Sequence, residues 1–539
     1  MADPAEQAEE DKNRKMRALK IYLTAILGLL ATFAAQSQSI YDALRFSNND
    51  YEGTARGVAM GNAFTALGGD MGAITINPAS SGVYLYNEFT ITPAVTNAVD
   101  RSHYLGSDTK ADRTRFTLSN VGGVSSFKTG RNTGLVSFNM GVVANQTSNY
   151  STRSFVSGRQ TLTSKLGSMA AAMSNSNIYC DDMTISSSDP SYPFYGTNAL
   201  WEEVLAWNTA LVETIYDDYT YVGATENILS ENGQDIIVLG GPLTQSYLQE
   251  TTGYKQDITL NFGGNISHKL YFGINFTMQT LWYDKFQKLS EKGENPDDFQ
   301  TEFEEFTHTY RESTNGIGFN IKAGIIYRPV AGLRLGATIS TPTWTRLRNE
   351  NFETMDARVY QEHYYEESPL NAFQYDITSP LRWGLGVAYT FGSVALISID
   401  YENTNYGSIK FKTDNSMHPA DIEYYNKANS AIRTNFKRVN NVRAGMEIKP
   451  VQQLSLRFGY NYYDSSEKYF DGDIHYASAG IGFTTKSNIF MDLAYRQQCN
   501  WSSEDYELYD TQYIPGLPET LVNSKYMNWK LLFTFGCRF

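Results

Sequence analysis

Apolar and polar residues alternate with a period of two through most of the chain beyond about residue 84, which is the period of a β-strand. The last stretch, MNWKLLFTFGCRF, places Trp529, Leu531, Phe533, Phe535, Cys537 and Phe539 on one parity and Lys530, Leu532, Thr534, Gly536 and Arg538 on the other. Terminal residues fray unless they are tied down, so a strand that runs to the final residue needs a paired neighbour along its length. A closed barrel supplies one. The split recurs at Leu454, Leu456, Phe458, Tyr460 and Tyr462 against Ser455, Arg457, Gly459 and Asn461. It recurs again at Val442, Ala444, Met446 and Ile448 against Arg443, Gly445, Glu447 and Lys449. Fourteen strands are expected, near 84–96, 113–127, 133–147, 254–266, 269–285, 314–329, 332–348, 378–391, 392–407, 436–449, 451–465, 474–486, 487–500 and 525–539.

A β-sandwich alternates in the same way, so connection lengths separate the two architectures. Short turns at 267–269, 329–332, 450–453 and 486–488 are each followed by a long polar or aromatic excursion. An outer-membrane barrel has this asymmetry, with tight periplasmic turns and long extracellular loops. The expected fold class is an all-β membrane protein, a 14-stranded antiparallel transmembrane β-barrel with long extracellular loops. An even strand number puts both ends on the periplasmic side, so residues 38–83 form a plug in the periplasm or inside the barrel that spans 84–539.

Composition agrees. The chain of 539 residues is rich in Tyr and Phe, and after the N-terminal region no apolar run approaches the roughly 18 to 20 residues of a spanning helix. A mean hydropathy of −0.39 suits a barrel in which only every second strand residue meets lipid. The formal net charge of −14 argues against a nucleic-acid surface. Residues 1–37 read as a secretory signal peptide starting at Met16, with basic Arg17 and Lys20, an apolar run from Ile21 to Ala35, and small Ala35 and Ser37 at the cut. Cys180 and Cys499 lie in loops, where an oxidising compartment would permit a disulfide.

Ahead of the first strand stands GTARGVAMGNAFTALGGDMGAITINPASSGVY, from Gly53 to Tyr84. Its glycines permit close backbone approach, and Pro78 makes a rigid corner whose Asn77 side chain can cap the adjacent turn. With Asn77, Pro78 and Ala79, preceded by Arg56, Ala59, Gly61, Ala63 and Asp70, the sequence resembles the FadL/TodX family of outer-membrane transporters for hydrophobic compounds. Similar phrases recur in YRPVAGLRLGATIS, SPLRWGLGVAYTF and NNVRAGMEIKPVQQLSLRFGYNYYD. The resemblance implies a hatch in front of a fourteen-stranded barrel, passive uptake of fatty-acid-like or aromatic compounds, no cofactor, and a monomer placed by the barrel-assembly machinery among outer-membrane lipid. It further implies that Ile40, Leu44 and Phe46 reach a ligand tail, that Asn77, Pro78 and Ala79 gate the hatch, and that Gly141 marks a weak point near the third strand. Two alternatives share the fold: a haem receptor using His103, His308, His363 and His418 in loops, and a PorV-like barrel that docks secreted proteins.

The excursion from about 148 to 252 contains NALWEEVLAWNTALVETIYDDY, in which Leu200, Val204, Trp207, Leu211 and Ile215 recur at helical spacing with Trp201, Leu205 and Val212 beside them. Trp201, Leu205, Trp207 and Leu211 are the candidate capture surface for a hydrophobic ligand, or the face by which the helix packs onto other loops. On the inward parity lie Lys322, Arg334, Asp400, Glu402, Arg443, Glu447, Arg457, Asp492 and Arg496. These residues either pair across the interior, or leave Arg334, Arg443 and Arg457 to bind a carboxylate head. HExxH, GxSxG, clustered Cys and His ligands and a phosphate-binding glycine loop are all missing, so neither a metal nor an enzyme is expected.

Overall fold

A computed structural model describes residues 40–539 apart from 232, 415, 471 and 512–519. Residues 1–37, expected from the sequence to be a signal peptide, lie outside the described residues. The alternating segments form one closed antiparallel barrel of fourteen strands. These are β1 (Glu88–Tyr104), β2 (Ser107–Lys128), β3 (Leu135–Asn149 and Thr152–Gln160), β4 (Leu243–Ile266), β5 (Leu270–Gly293), β6 (Glu305–Tyr327) and β7 (Leu333–Ser340 and Trp344–Val359). They continue as β8 (Glu362–Glu367, Asn371–Thr378 and Arg382–Phe391), β9 (Ala395–Asn405 and Lys410–Phe411), β10 (Arg438–Val451), β11 (Leu454–Tyr463), β12 (Ile474–Thr484), β13 (Ile489–Gln498 and Ser502–Glu507) and β14 (Leu521–Arg538). Closure comes from β1 against β14, where Phe89 faces Cys537 and His103 faces Asn523. The C-terminal strand therefore has its neighbour along its length, and no edge remains at the seam.

Outward residues make a continuous apolar belt. Phe272, Ile274, Phe276 and Met278 of β5, Ile317, Phe319 and Ile321 of β6, and Leu531, Phe533 and Phe535 of β14 are all exposed. Tyr254 and Trp282 stand at the long-loop margin of this belt, where an aromatic girdle is expected. The inward parity carries Ser, Thr, Asn and charged side chains, nearly all buried. Among the described residues no helix is long and apolar enough to cross a membrane.

One rim carries only short turns, while the other carries 161–242, 294–304, 412–437 and 464–473. That rim is not uniformly long-looped. Residues 97–112, expected as a loop, continue β1 and β2 to a two-residue turn at Leu105 and Gly106, with φ of 47° and 78°. Tyr360 and Gln361 make a second such hairpin, with φ of 54° and 60°. In both, polar cross-strand pairs carry the ladder beyond the apolar belt, so the hydrophobic signal stops before the strand does. For the same reason β3 runs to Gln160 and β4 begins at Leu243, which shortens the excursion expected over 148–252.

The excursion folds into a cap with its own core. Leu166, Met173, Val204, Leu205 and Leu211 are completely buried there with Phe303 of the 294–304 loop. The helix expected to reach Ile215 ends at Asn208, because Thr209 Oγ1 bonds back to Leu205 O at 2.8 Å and Ala210 turns left-handed at φ 54°. Val212–Thr214 then starts a small hairpin with Tyr221–Gly223. Cys180 is buried in the cap, Cys499 is exposed and Cys537 is half-buried, and all three are free thiols, so the Cys180 to Cys499 disulfide is not formed.

Candidate functional site

Residues 51–84 fill the short-turn half of the lumen, and all but Arg56, Gly69 and Val83 are buried. Asn77 is the anchor. Its Nδ2 donates to Thr65 O at 2.6 Å and Ile325 O at 3.2 Å, and its Oδ1 accepts from Ala79 N at 3.0 Å. Pro78 starts a 3₁₀ turn through Val83, and its carbonyl accepts from Asn261 Nδ2 of β4 at 3.0 Å. Asn275 of β5 donates to Ile74 O at 2.8 Å, and Asn145 of β3 donates to Thr75 Oγ1 at 2.7 Å. A ring of inward asparagines thus satisfies irregular backbone that would otherwise be buried without partners. Gly273 and Gly324 leave room for this corner, since a Cβ on either would collide with Pro78 or Asn77.

Ion pairs surround the same segment. Arg457 bridges Glu447 at 2.6 Å and Asp492 at 2.5 Å, and Arg56 joins Glu447 at 3.0 Å. Arg443 lies 3.3 Å from Glu402 and 3.7 Å from Asp400, with its guanidinium over the Tyr51 ring. Arg496 reaches Asp50 Oδ1 at 2.8 Å, and Lys530 pairs with Asp50 and Glu52. Arg334 donates to Leu67 O. Of the three arginines considered for a carboxylate head, Arg443 and Arg457 are thus engaged by carboxylates of the chain itself, and Arg334 by a backbone carbonyl.

The helix Ile40–Ser47 stands in the long-loop half of the lumen. Ile40, Leu44 and Phe46 are buried with Tyr375, Phe411 and, from the helix Pro419–Asn435, Tyr425 and Ile432. Phe46, Tyr150 and Tyr283 form a three-ring cluster with centroids 5.6 to 6.1 Å apart. Tyr150 lies where β3 changes course. Backbone pairing between β2 and β3 runs from Lys128–Ser137 to Asn120–Asn145, and there it stops. Beyond that point β3 passes behind the β1–β2 hairpin: Asn149 Nδ2 donates to Thr96 Oγ1 at 2.8 Å and Ser154 Oγ to Asp100 Oδ1 at 3.2 Å, both inward residues of β1. Among the described residues, Ser107–Ser119 of β2 has no ladder partner on its β3 side; its side chains reach across instead, Arg113 to Glu250 at 3.3 Å and Arg115 to Thr252 at 3.0 Å. Gly141, marked as the weak point, is paired with Val124 on one side and Asn261 on the other. The break lies above it, at Asn145.

In the cap, Trp201, Leu205 and Leu211 are buried, and Trp201 Nε1 donates to Phe194 O at 2.7 Å. Trp207 is half-buried against Tyr221, with Nε1 on Thr184 Oγ1 at 3.1 Å. The apolar helix face is therefore turned mainly into the cap. His308 bonds Glu353 at 2.9 Å, while His103 and His363 pair with Asp108 and Asp356 on the surface. His418 caps the helix Pro419–Asn435. Lys255 and Arg382 escaped attention in the sequence. Both occupy inward parity in otherwise ordinary strands, and that parity was the available signal.

No family model and no curated protein matches the chain. Several solved structures do. The Pseudomonas putida toluene transporter TodX is 13% identical over 91% of this chain and 99% of its own, with a TM-score of 0.47. The CymD monoaromatic hydrocarbon channel is 9% identical with the same coverage, at 0.46. A Pseudomonas aeruginosa FadL homologue is 10% identical over 91% of this chain and 99% of its own, with a TM-score of 0.51. The likeness to that homologue is one of fold: a barrel of the same architecture, matched along nearly its whole length.

Proposed function

We propose that this protein is an outer-membrane channel through which small hydrophobic compounds, fatty-acid-like or aromatic, diffuse passively. The observation that supports it best is the break between β2 and β3 above Asn120 and Asn145, beside the Phe46, Tyr150 and Tyr283 rings. Unpaired backbone facing lipid is costly, so a barrel keeps such a break where it has a use. Phe116 and Leu118, 75% and 42% exposed, give its outer edge an apolar rim. A hydrophobic molecule entering from the cap side passes the aromatic cluster and leaves sideways into the membrane, without crossing the inner segment around Asn77. The fold of the FadL homologue is compatible with this route. In this reading the segment around Asn77 is a hatch whose firm seating directs the ligand to the wall, and the short-turn rim faces the periplasm.

The test is uptake of radiolabelled decanoate and toluene by cells carrying Phe116→Asp or Leu118→Asp. A carboxylate on the rim should lower uptake at normal outer-membrane abundance. Unchanged uptake of both compounds by both variants would remove the lateral route.

A further inference from the structure

Lys255, Lys322 and Arg382 converge on one small cavity at the foot of the helix Ile40–Ser47, with Asp257, Ser340 and Thr343 in its wall. Lys255 is fully buried, and Lys322 and Arg382 are each 9% exposed. Their hydrogen bonds go to backbone carbonyls: Lys255 to Phe46 O and Asn48 O, Arg382 to Ser47 O, and Lys322 to Thr75 O. None of the three lies within ion-pair distance of a carboxylate among the described residues. Of the acidic groups nearby, Glu402 is held by Arg443 at 3.3 Å, and Asp257, which accepts from the neutral Gln279 Nε2 at 2.8 Å, is left as one carboxylate facing three cations. The buried Nε of Arg382 has no hydrogen-bond partner. Formally the cavity wall carries three positive charges and one negative one, away from water, and buried charge is stable only when it is paired.

The cavity volume is about 20 Å³, against the 10 to 15 Å³ or so that a single water requires. That is room for one water-sized particle and excludes a head group with a tail. We propose that this cavity is an inorganic anion site, taking chloride or an ion of similar size. Lysine and arginine donors and the Thr343 hydroxyl, which accepts from Asn320 Nδ2 at 3.2 Å and keeps its own proton free, supply the hydrogen bonds such an ion accepts. The bound ion neutralises the cluster that grips Phe46, Ser47 and Asn48, and so holds the N-terminal segment against β4 and β8. The site goes beyond the transport reading and does not depend on it.

Thermal unfolding of the purified, full-length barrel in detergent tests this, with sodium chloride or bromide exchanged for sodium gluconate at constant ionic strength. A saturable rise of the unfolding temperature with halide is expected, because a ligand that binds only the folded state stabilises it by mass action. Lys255→Gln should raise the half-saturating halide concentration by about tenfold or more, as loss of a charged hydrogen bond does. Crystals of the unaltered protein grown in bromide should show its anomalous signal between Lys255 and Arg382, a measurement that needs no variant to fold. Identical unfolding in chloride and gluconate, or bromide found only on the surface, would overturn the proposal. So would stabilisation by decanoate without any halide effect. Uptake is not read in any of these measurements, so their failure leaves the channel reading where it stands.

Discussion

Gly324 of β6 faces the Asn77 side chain with nothing between them, and a Cβ at that position would overlap Asn77 Oδ1 and meet Pro78 Cδ at 3.0 Å. The backbone of the barrel wall rests directly on the Asn77 and Pro78 side chains here, so the wall has no slack. Gly324→Ala should destabilise the folded barrel by about 1–3 kcal/mol, the usual cost of overpacking. Gly123→Ala, where the nearest atom would be Glu88 O at 3.7 Å, should leave it unchanged. Heat-modifiable gel mobility as a function of temperature compares the two; equal shifts would contradict this close approach.

Asn77 and Pro78 should be separable. Asn77→Ala leaves Thr65 O, Ile325 O and Ala79 N short of a partner, at about 1–3 kcal/mol for each group left unsatisfied. Pro78→Gly keeps those bonds and frees φ, which raises the entropy lost on ordering the corner. Limited proteolysis of folded barrels should show cleavage near residue 78 rising strongly for the Asn77 variant and mildly for the Pro78 variant, with outer-membrane abundance near normal in the second.

The Arg457 pair offers a stability test. Arg457→Met strands Asp492 and weakens the hold on Glu447, and breaking a buried pair from one side costs about 3–5 kcal/mol. Adding Asp492→Leu removes the stranded charge. The double variant is expected to unfold at a higher urea concentration than Arg457→Met alone; a lower midpoint would show that the network is worth more than its desolvation.

The cap should respond to pH. Burial pushes the carboxyl groups of Glu203 and Glu226 from 4.5 up to about 7. The folded cap then holds more protons than the unfolded chain between those values, so its stability falls as pH rises from about 4.5 through 7. Protease nicking within 161–242 should be faster at pH 8 than at pH 5.5, and Glu203→Gln should flatten that difference. Faster nicking at the acid end would reverse the argument.

The parity of Leu531, Phe533 and Phe535 against Lys530, Leu532 and Thr534 is a local property of an extended backbone, so the sequence alone identified the strands, their number and their outward faces. The Asn77, Pro78 and Ala79 corner was legible for a similar reason, since a proline and its neighbour restrict φ and ψ wherever they stand. Partners were not legible. Whether Arg457 meets Glu447 and Asp492 or faces an open lumen depends on the stagger of β10, β11 and β13, and Arg496 reaches Asp50 across 446 residues of chain. The polar ends of β1 and β2 and the early stop of the helix at Asn208 were hidden because cross-strand pairing and a left-handed Ala210 carry no hydrophobic period. The end of β2–β3 pairing at Asn120 and Asn145 coincides with a lapse of alternation in both strands, at Ser119 and Asn120 and from Asn145 to Ser148, but a lapse of parity does not say which ladder ends there. Only the tertiary structure decides it, through β3 leaving the ladder to bond the inner face of β1.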